Sequence, residues 1–179
     1  MRIVILSLLT LQLLVPAQAR AQYARIELKI LGMDCAICAH GVRVAIQKVD
    51  GVESVELSLE RAEADIRLRS NNRVSLDQFR RIVKANGFES RQATVAAIGT
   101  TRDAGGELAF EVSGQPTAFI VSPDRSAPAP YKQLKAAFDS KSTALFEIVG
   151  TVEKRVGKKG DKKGADVDAI AIASVTESR

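Results

Sequence analysis

Tryptophan is absent from this chain, and 179 residues share only two tyrosines and six phenylalanines. Any core must therefore be built mainly from aliphatic side chains, and faces that stack nucleic-acid bases on aromatic platforms have little material. Histidine occurs once, at His40, and cysteine twice, at Cys35 and Cys38. Two cysteines make no disulfide framework, and a bridge across so short a loop would constrain little of the unfolded chain. No nucleophile–histidine–acid triad, phosphate-cradling glycine loop or catalytic carboxylate pair can be placed, so the chain does not read as an enzyme. Its net charge of +5 is basic but modest, favouring acidic surfaces in general without marking a nucleic-acid binder.

Long apolar runs are also missing. The longest covers residues 3–15, broken by Ser7, Thr10 and Gln12, and falls short of the ~20 residues that a membrane span needs. Arg2 precedes it, and Pro16 with Ala17-Gln18-Ala19 follows, the pattern of a secretory signal cleaved after Ala19, with Ala21 the competing site. No cysteine follows the run to carry a lipid. The expectation is export to a periplasmic or extracellular space, with residues 1–19 as signal peptide and no stable membrane insertion afterwards.

What is present centres on Gly32-Met33-Asp34-Cys35-Ala36-Ile37-Cys38. Before it, Ile26, Leu28 and Ile30 alternate with Arg25, Glu27 and Lys29, as in a half-buried strand. After it, Val42, Ile46 and Val49 recur at the spacing of one helix face. The cysteines thus lie on a strand-to-helix loop, with Cys38 in the first helical turn. The outward N–H groups and the helix dipole favour thiolates there, and two converging thiolates suit a soft metal.

Asp50-Gly51 ends that helix. Val55, Leu57 and Leu59 alternate as a second strand, and Ala64, Ile66 and Leu68 as a third, with a turn at Arg61-Ala62. Ser75 with Gln78 forms a capping box for a second helix whose inner face is Leu76, Phe79, Ile82 and Val83, ending at Asn86-Gly87. A fourth strand is expected from Phe88 to about Ala93. The order β-α-β-β-α-β predicts an α+β, ferredoxin-like unit over residues 24–92.

This unit resembles the heavy-metal-associated domain found in copper chaperones, periplasmic mercury-binding proteins and the N-terminal arms of metal-pumping ATPases. The residues that carry the resemblance are Gly32-Met33-x-Cys35-x-x-Cys38, Gly51-Val52 and Gly87-Phe88. It implies that Cys35 and Cys38 hold one soft metal ion and exchange it with a donor or acceptor protein. It also implies that Met33 is a plug turned into the core. Copper-handling members often carry Thr, Ser or His where this chain has Asp34, and Asp there resembles pumps for Zn(II), Cd(II) and Pb(II). Asp34 is therefore a candidate third ligand, or else simply the helix cap. Zn(II) or Cd(II) would accept its oxygen, whereas two sulfurs satisfy Cu(I), so the metal stays open between them. His40 lies about 200° round the helix from Cys38, away from the metal.

Beyond residue 93 the family pattern stops. Strands are expected over residues 94–101, around Leu108, Phe110 and Val112, and over residues 117–121. A loop marked by Pro123, Pro128 and Pro130 leads to a short helix with Tyr131, Leu134 and Phe138 on one face. Strands around Phe146, Ile148 and Val152 and over residues 167–175 follow. Three strands, a helix and two strands is the element order of an OB-like β-barrel, assigned to residues 93–179. Lys154, Arg155, Lys158, Lys159, Lys162 and Lys163 crowd the last connection, which its glycines mark as a solvated loop with an acidic partner or membrane surface as the functional alternative. Nucleic acid is not an expected partner, and the chain reads as a monomer. The competing function is a periplasmic thiol-disulfide oxidoreductase using Cys35 and Cys38, disfavoured because such enzymes set their C-x-x-C in a larger βαβ frame.

Overall fold

A computed structural model describes residues 22–115, 118–124, 126–154 and 168–178. The expected signal peptide and most of the lysine-rich connection lie outside the described residues.

β1 (Tyr23–Lys29) leads into α1 (Ala36–Gln47), then β2 (Val52–Ser58), β3 (Glu63–Leu68), α2 (Leu76–Ala85) and β4 (Gln92–Asp103). These strands lie in the order β2-β3-β1-β4, all antiparallel to their neighbours. The alternation read from sequence decides the faces. Ile26, Leu28, Ala64, Ile66, Ala93 and Val95 are buried in one core with Ala39, Val42 and Ile46 of α1 and Phe79 and Val83 of α2. Opposite parity carries ions: Arg25 pairs with Glu27 and Asp65 at 2.9 and 2.7 Å, and Lys29 with Glu63 at 2.6 Å. The Arg25 guanidinium holds the Asp65 carboxyl below its ordinary range. At the start of α2, the Ser75 hydroxyl accepts from the Gln78 N–H at 3.3 Å, so half of the expected capping box is formed.

The remaining elements are β5 (Leu108–Val112), β6 (Ala118–Ser122), α3 (Pro128–Asp139), β7 (Leu145–Lys154) and β8 (Asp168–Ser178). The sheet continues from β4 through β5, β6 and β8 to β7, which returns to pair with β4. A five-stranded barrel closes in this way, with β6 and β8 its parallel pair. Phe110, Leu134, Ile148, Ile170 and Ile172 fill it. Pro128 and Pro130 were expected in a loop, yet both lie in the first turn of α3. Their missing N–H groups are free of intrahelical duty there.

Two expected strands are one. Residues 88–93 and 94–101 were read as separate, but β4 runs unbroken from Gln92 to Asp103, and the chain before it offers only a single bridge from Glu89 to Leu31. The reason is a parity that never breaks: Ala93, Val95, Ala97 and Gly99 are all buried on one face. The expected boundary between residues 92 and 93 meets the start of this strand rather than a linker. β4 pairs along one edge with β1 through Ala93–Ala97 and then with β5 from Gly99, while its other edge takes β7 from Gln92 to Gly99. The unit that carries the cysteine loop and the barrel therefore share a strand. Leu28 opposite Ala93, Gln92 opposite Glu153 and Lys154 opposite Asp168 put the cysteine loop, the end of β7 and the start of β8 at the same end of the sheet.

Polar contacts add to the shared strand. Gln115 Nε2 donates to Gln22 Oε1 at 2.6 Å and to the Val74 carbonyl at 2.7 Å, and Arg80 on α2 pairs with Asp168 at the start of β8.

Candidate metal centre

The loop is built outward from the end of β1. The Ile30 N–H donates to the Ala62 carbonyl and the Leu31 N–H to Glu89, each at 2.8 Å, which ties the strand end to its neighbours on both sides. Gly32 then turns with φ 80°, left-handed backbone that a side chain rarely adopts. The turn sends Met33 down: it is 3% exposed and belongs to the core, as expected, and is not a surface ligand. Asp34 is exposed.

Cys35 takes the N-cap of α1 in extended backbone, and its carbonyl accepts the Ala39 N–H at 2.9 Å. The cap reading of Asp34 is therefore not realised, because the helix starts one residue later than that role requires. Cys38 stands exposed in the first turn and Cys35 half-exposed beside it, both as free thiols.

The two sulfurs converge. The Cys38 thiol hydrogen-bonds to Cys35 Sγ, and the N–H groups of Cys38 and Ile37 add to it, so the Cys35 pKa is lowered below the ordinary thiol value. Cys38, whose thiol proton is held by that bond, is pushed up. The Asp34 charge raises both, which places its field at the site. No group of three or more histidine, cysteine or carboxylate side chains converges among the described residues, so Asp34 does not complete a three-ligand set in this conformation. His40 is exposed, its Nδ1 3.4 Å from Arg43 Nη2. Phe88 is half-buried against the core.

Ile37, between the cysteines, was given no role from sequence. It is 84% exposed, and Leu31 just before the loop is 50% exposed. The signal was legible: Ala39, Val42 and Ile46 define the buried face, and Ile37 lies off it. A helix begun at a cysteine cap thus presents two thiols and one large apolar side chain to solvent. Chemically this is a two-sulfur site open to solvent, suited to a soft ion.

Among curated proteins, none matches this chain. Among solved structures, the copper-binding domain from HMA7, a P-type ATPase, is 29% identical over 41% of this chain and 93% of its own, with a TM-score of 0.35. The yeast copper transporter domain CCC2A is 24% identical over 37% of this chain and 90% of its own, TM-score 0.35. The first domain of the human copper chaperone for SOD1, in its copper(I)-loaded form, is 21% identical over 42% and 94%, TM-score 0.33. The family model of the heavy-metal-associated domain matches residues 27–89, from the middle of β1 to the residue that bridges to Leu31. That stretch, cysteine loop included, is the part of this chain that is similar to the heavy-metal-associated domain.

Proposed function

We propose that this protein binds one soft metal ion, Cu(I), between Cys35 and Cys38 and exchanges it with a partner protein rather than catalysing a reaction. The observation that carries the reading is the contact between two accessible sulfurs at a helix start, the Cys35 pKa lowered by the Cys38 thiol and neighbouring N–H groups. Two soft donors, with no third histidine, cysteine or carboxylate assembled beside them among the described residues, suit Cu(I), whereas Zn(II) or Cd(II) would call for Asp34 to swing in and for further ligands. The ion is cargo, so both thiols must stay reachable by a partner's thiolates.

The signal-like residues 1–19 support action outside the cytoplasm, in a periplasm or beyond. The barrel order β4-β5-β6-β8-β7, with a helix between its third and fourth strands, supports an OB-like accessory module over the second half. The protein acts as a monomer in this reading.

Competition titration of the reduced protein against a chromophoric Cu(I) chelator tests the site. Wild type should take up one equivalent, and Cys35→Ser/Cys38→Ser none, with unchanged circular dichroism. Retained stoichiometric Cu(I) in the double variant would refute the assignment. Asp34→Ala should leave Cu(I) affinity within about threefold. A loss of Zn(II) affinity by roughly one to two orders of magnitude, without a matching loss for Cu(I), would instead make Asp34 a ligand for a divalent cargo. Insulin reduction at the rate of a dithiol enzyme would favour the oxidoreductase reading.

A further inference from the structure

At the end of the sheet remote from the cysteine loop, Val52 lies opposite Leu68 and Arg25 opposite Arg67. There the connections from α1 to β2 and from β3 to α2 meet around a cleft of about 520 Å³, lined by Asp50, Arg69, Asn72, Arg73 and Gln78 among others. The two connections are locked together. The Arg69 N–H donates to the Gly51 carbonyl at 2.9 Å, and a Cβ on Gly51 would stand 2.9 Å from Asn72 Cβ. Asn71 takes left-handed backbone at φ 62°, which asparagine adopts more readily than most residues. The walls are therefore set before any ligand arrives.

The polar groups of this cleft are left unsatisfied. Arg69 and Arg73 are exposed and form no ion pair among the described residues, and neither does Asp50. Two cations and an anion thus line one cleft without joining one another. Asn72, at 4% exposure, is its buried asparagine. Both Nδ2 hydrogens are spent, on the Tyr23 carbonyl at 2.7 Å and the Arg69 carbonyl at 2.8 Å, while Oδ1 accepts from nothing. A buried acceptor without a donor is a standing cost, which an N–H or O–H brought into the cleft removes.

We propose that this cleft binds a small phosphate ester that carries its own N–H or O–H donor. Arg69 and Arg73 take the phosphate, whose oxygens suit guanidinium forks. Asp50 and the Asn72 Oδ1 take the donor. A plain anion would be opposed by Asp50 and would leave Oδ1 unpaired, and a plain cation would be opposed by two arginines, so a ligand with both groups fits best. The volume lies within the range of small-molecule sites. This site is separate from the thiols and does not rest on the metal reading. Free aminoalkyl phosphates and the phosphatidylethanolamine head group share the required chemistry.

The test titrates amide resonances of the full-length, metal-free protein with phosphoethanolamine and with phosphocholine, whose quaternary ammonium has no N–H. Phosphoethanolamine should shift residues 50–52 and 69–74 and bind about tenfold more tightly than phosphocholine, the worth of one charge-assisted hydrogen bond. Asp50→Asn should narrow that ratio. Arg69→Gln/Arg73→Gln should weaken both ligands about tenfold or more, with unchanged circular dichroism. The control Lys132→Gln/Lys141→Gln, with the same net charge, should bind as wild type does. Absence of shifts, shifts confined to other surfaces, equal binding of the two esters, or equal weakening by the control would overturn the proposal. Co-sedimentation with phosphatidylethanolamine and phosphatidylcholine vesicles identifies the source of the ester. Retention on the former alone, lost in Arg69→Gln/Arg73→Gln, makes it a lipid head group, and binding of the free ester without retention makes it a soluble one.

Discussion

Cys35 and Cys38 are chemically alike in sequence and unlike in the fold. Cys35 caps the helix and receives a thiol proton and two backbone N–H groups; Cys38 supplies that proton. Depressing one thiol and raising the other separates their ionisation. Iodoacetamide labelling followed by mass spectrometry should therefore modify Cys35 first, at a pH below the ordinary thiol range, and Cys38 only in more alkaline solution. Cys38→Ser keeps a hydroxyl donor, whereas Cys38→Ala removes it, so the alanine variant should shift the Cys35 labelling midpoint upward. Simultaneous labelling of both cysteines across the titration would contradict this asymmetry. Met33 shows how far residue-scale reasoning reached. Its core position was implied by resemblance and is borne out at 3% exposure, because Gly32 at positive φ reverses the chain above it. Cys35 at the N-cap was not legible, since Asp34 is the better capping residue by type, and the competing demand of seating Met33 moved the helix start.

Among elements, β4 shows how one strand can serve both the βαββαβ unit and the barrel. At Gly99 its partner on one edge changes from β1 to β5, and a Cβ there would stand 2.1 Å from the Glu111 carbonyl oxygen. Gly99→Ala must push β5 away and should cost ~2–3 kcal/mol by urea denaturation. Gly41 gives the opposite sign. Its nearest neighbour would be 3.8 Å away and its backbone is helical, so Gly41→Ala should stabilise the protein by ~0.5–1 kcal/mol. A Gly99→Ala variant as stable as wild type would mean that the two strands are not held so closely. Neither sign follows from the sequence, where both glycines interrupt otherwise regular patterns; the distance to a non-local carbonyl decides.

At the scale of the whole molecule, the buried pair of Arg80 and Asp168 ties α2 to the barrel with side chains 8% and 11% exposed. Arg80 Nε and Nη2 find no partner in that interface, so the pair is costly to hold and worse to break. Arg80→Ala, which strands the Asp168 carboxylate, should lose ~3–5 kcal/mol in chemical denaturation, whereas Arg80→Met/Asp168→Leu should recover most of it. Equal losses in the single and double variants would assign the effect to packing instead. Truncation probes the shared strand. A fragment of residues 22–92 keeps both helices and the cysteines but lacks the buried side chains of Ala93, Val95 and Ala97, and it leaves the edge of β1 unpaired. By circular dichroism it should be largely unfolded, and extension to Asp103 should restore much of the signal. A folded, copper-binding 22–92 fragment would show that β4 belongs energetically to the barrel alone.

Local patterns determined most of the elements and the metal loop. Period-two and period-3.6 spacing of apolar residues, a capping serine and the Gly-Met-x-Cys-x-x-Cys run act within a few residues of one another, so they can be read without the fold. Tertiary structure alone decided that β4 is one strand with three partners, that the cysteine loop and the start of β8 share an end of the sheet, and that Arg80 of α2 meets Asp168 of β8. Each of these depends on which distant edge or side chain arrives beside a residue, as when β7 closes on β4 some fifty residues later. Pairing between strands is satisfied by any edge of suitable register, and the choice is made by the closed barrel and its core, whose aliphatic side chains carry no local mark of their partners.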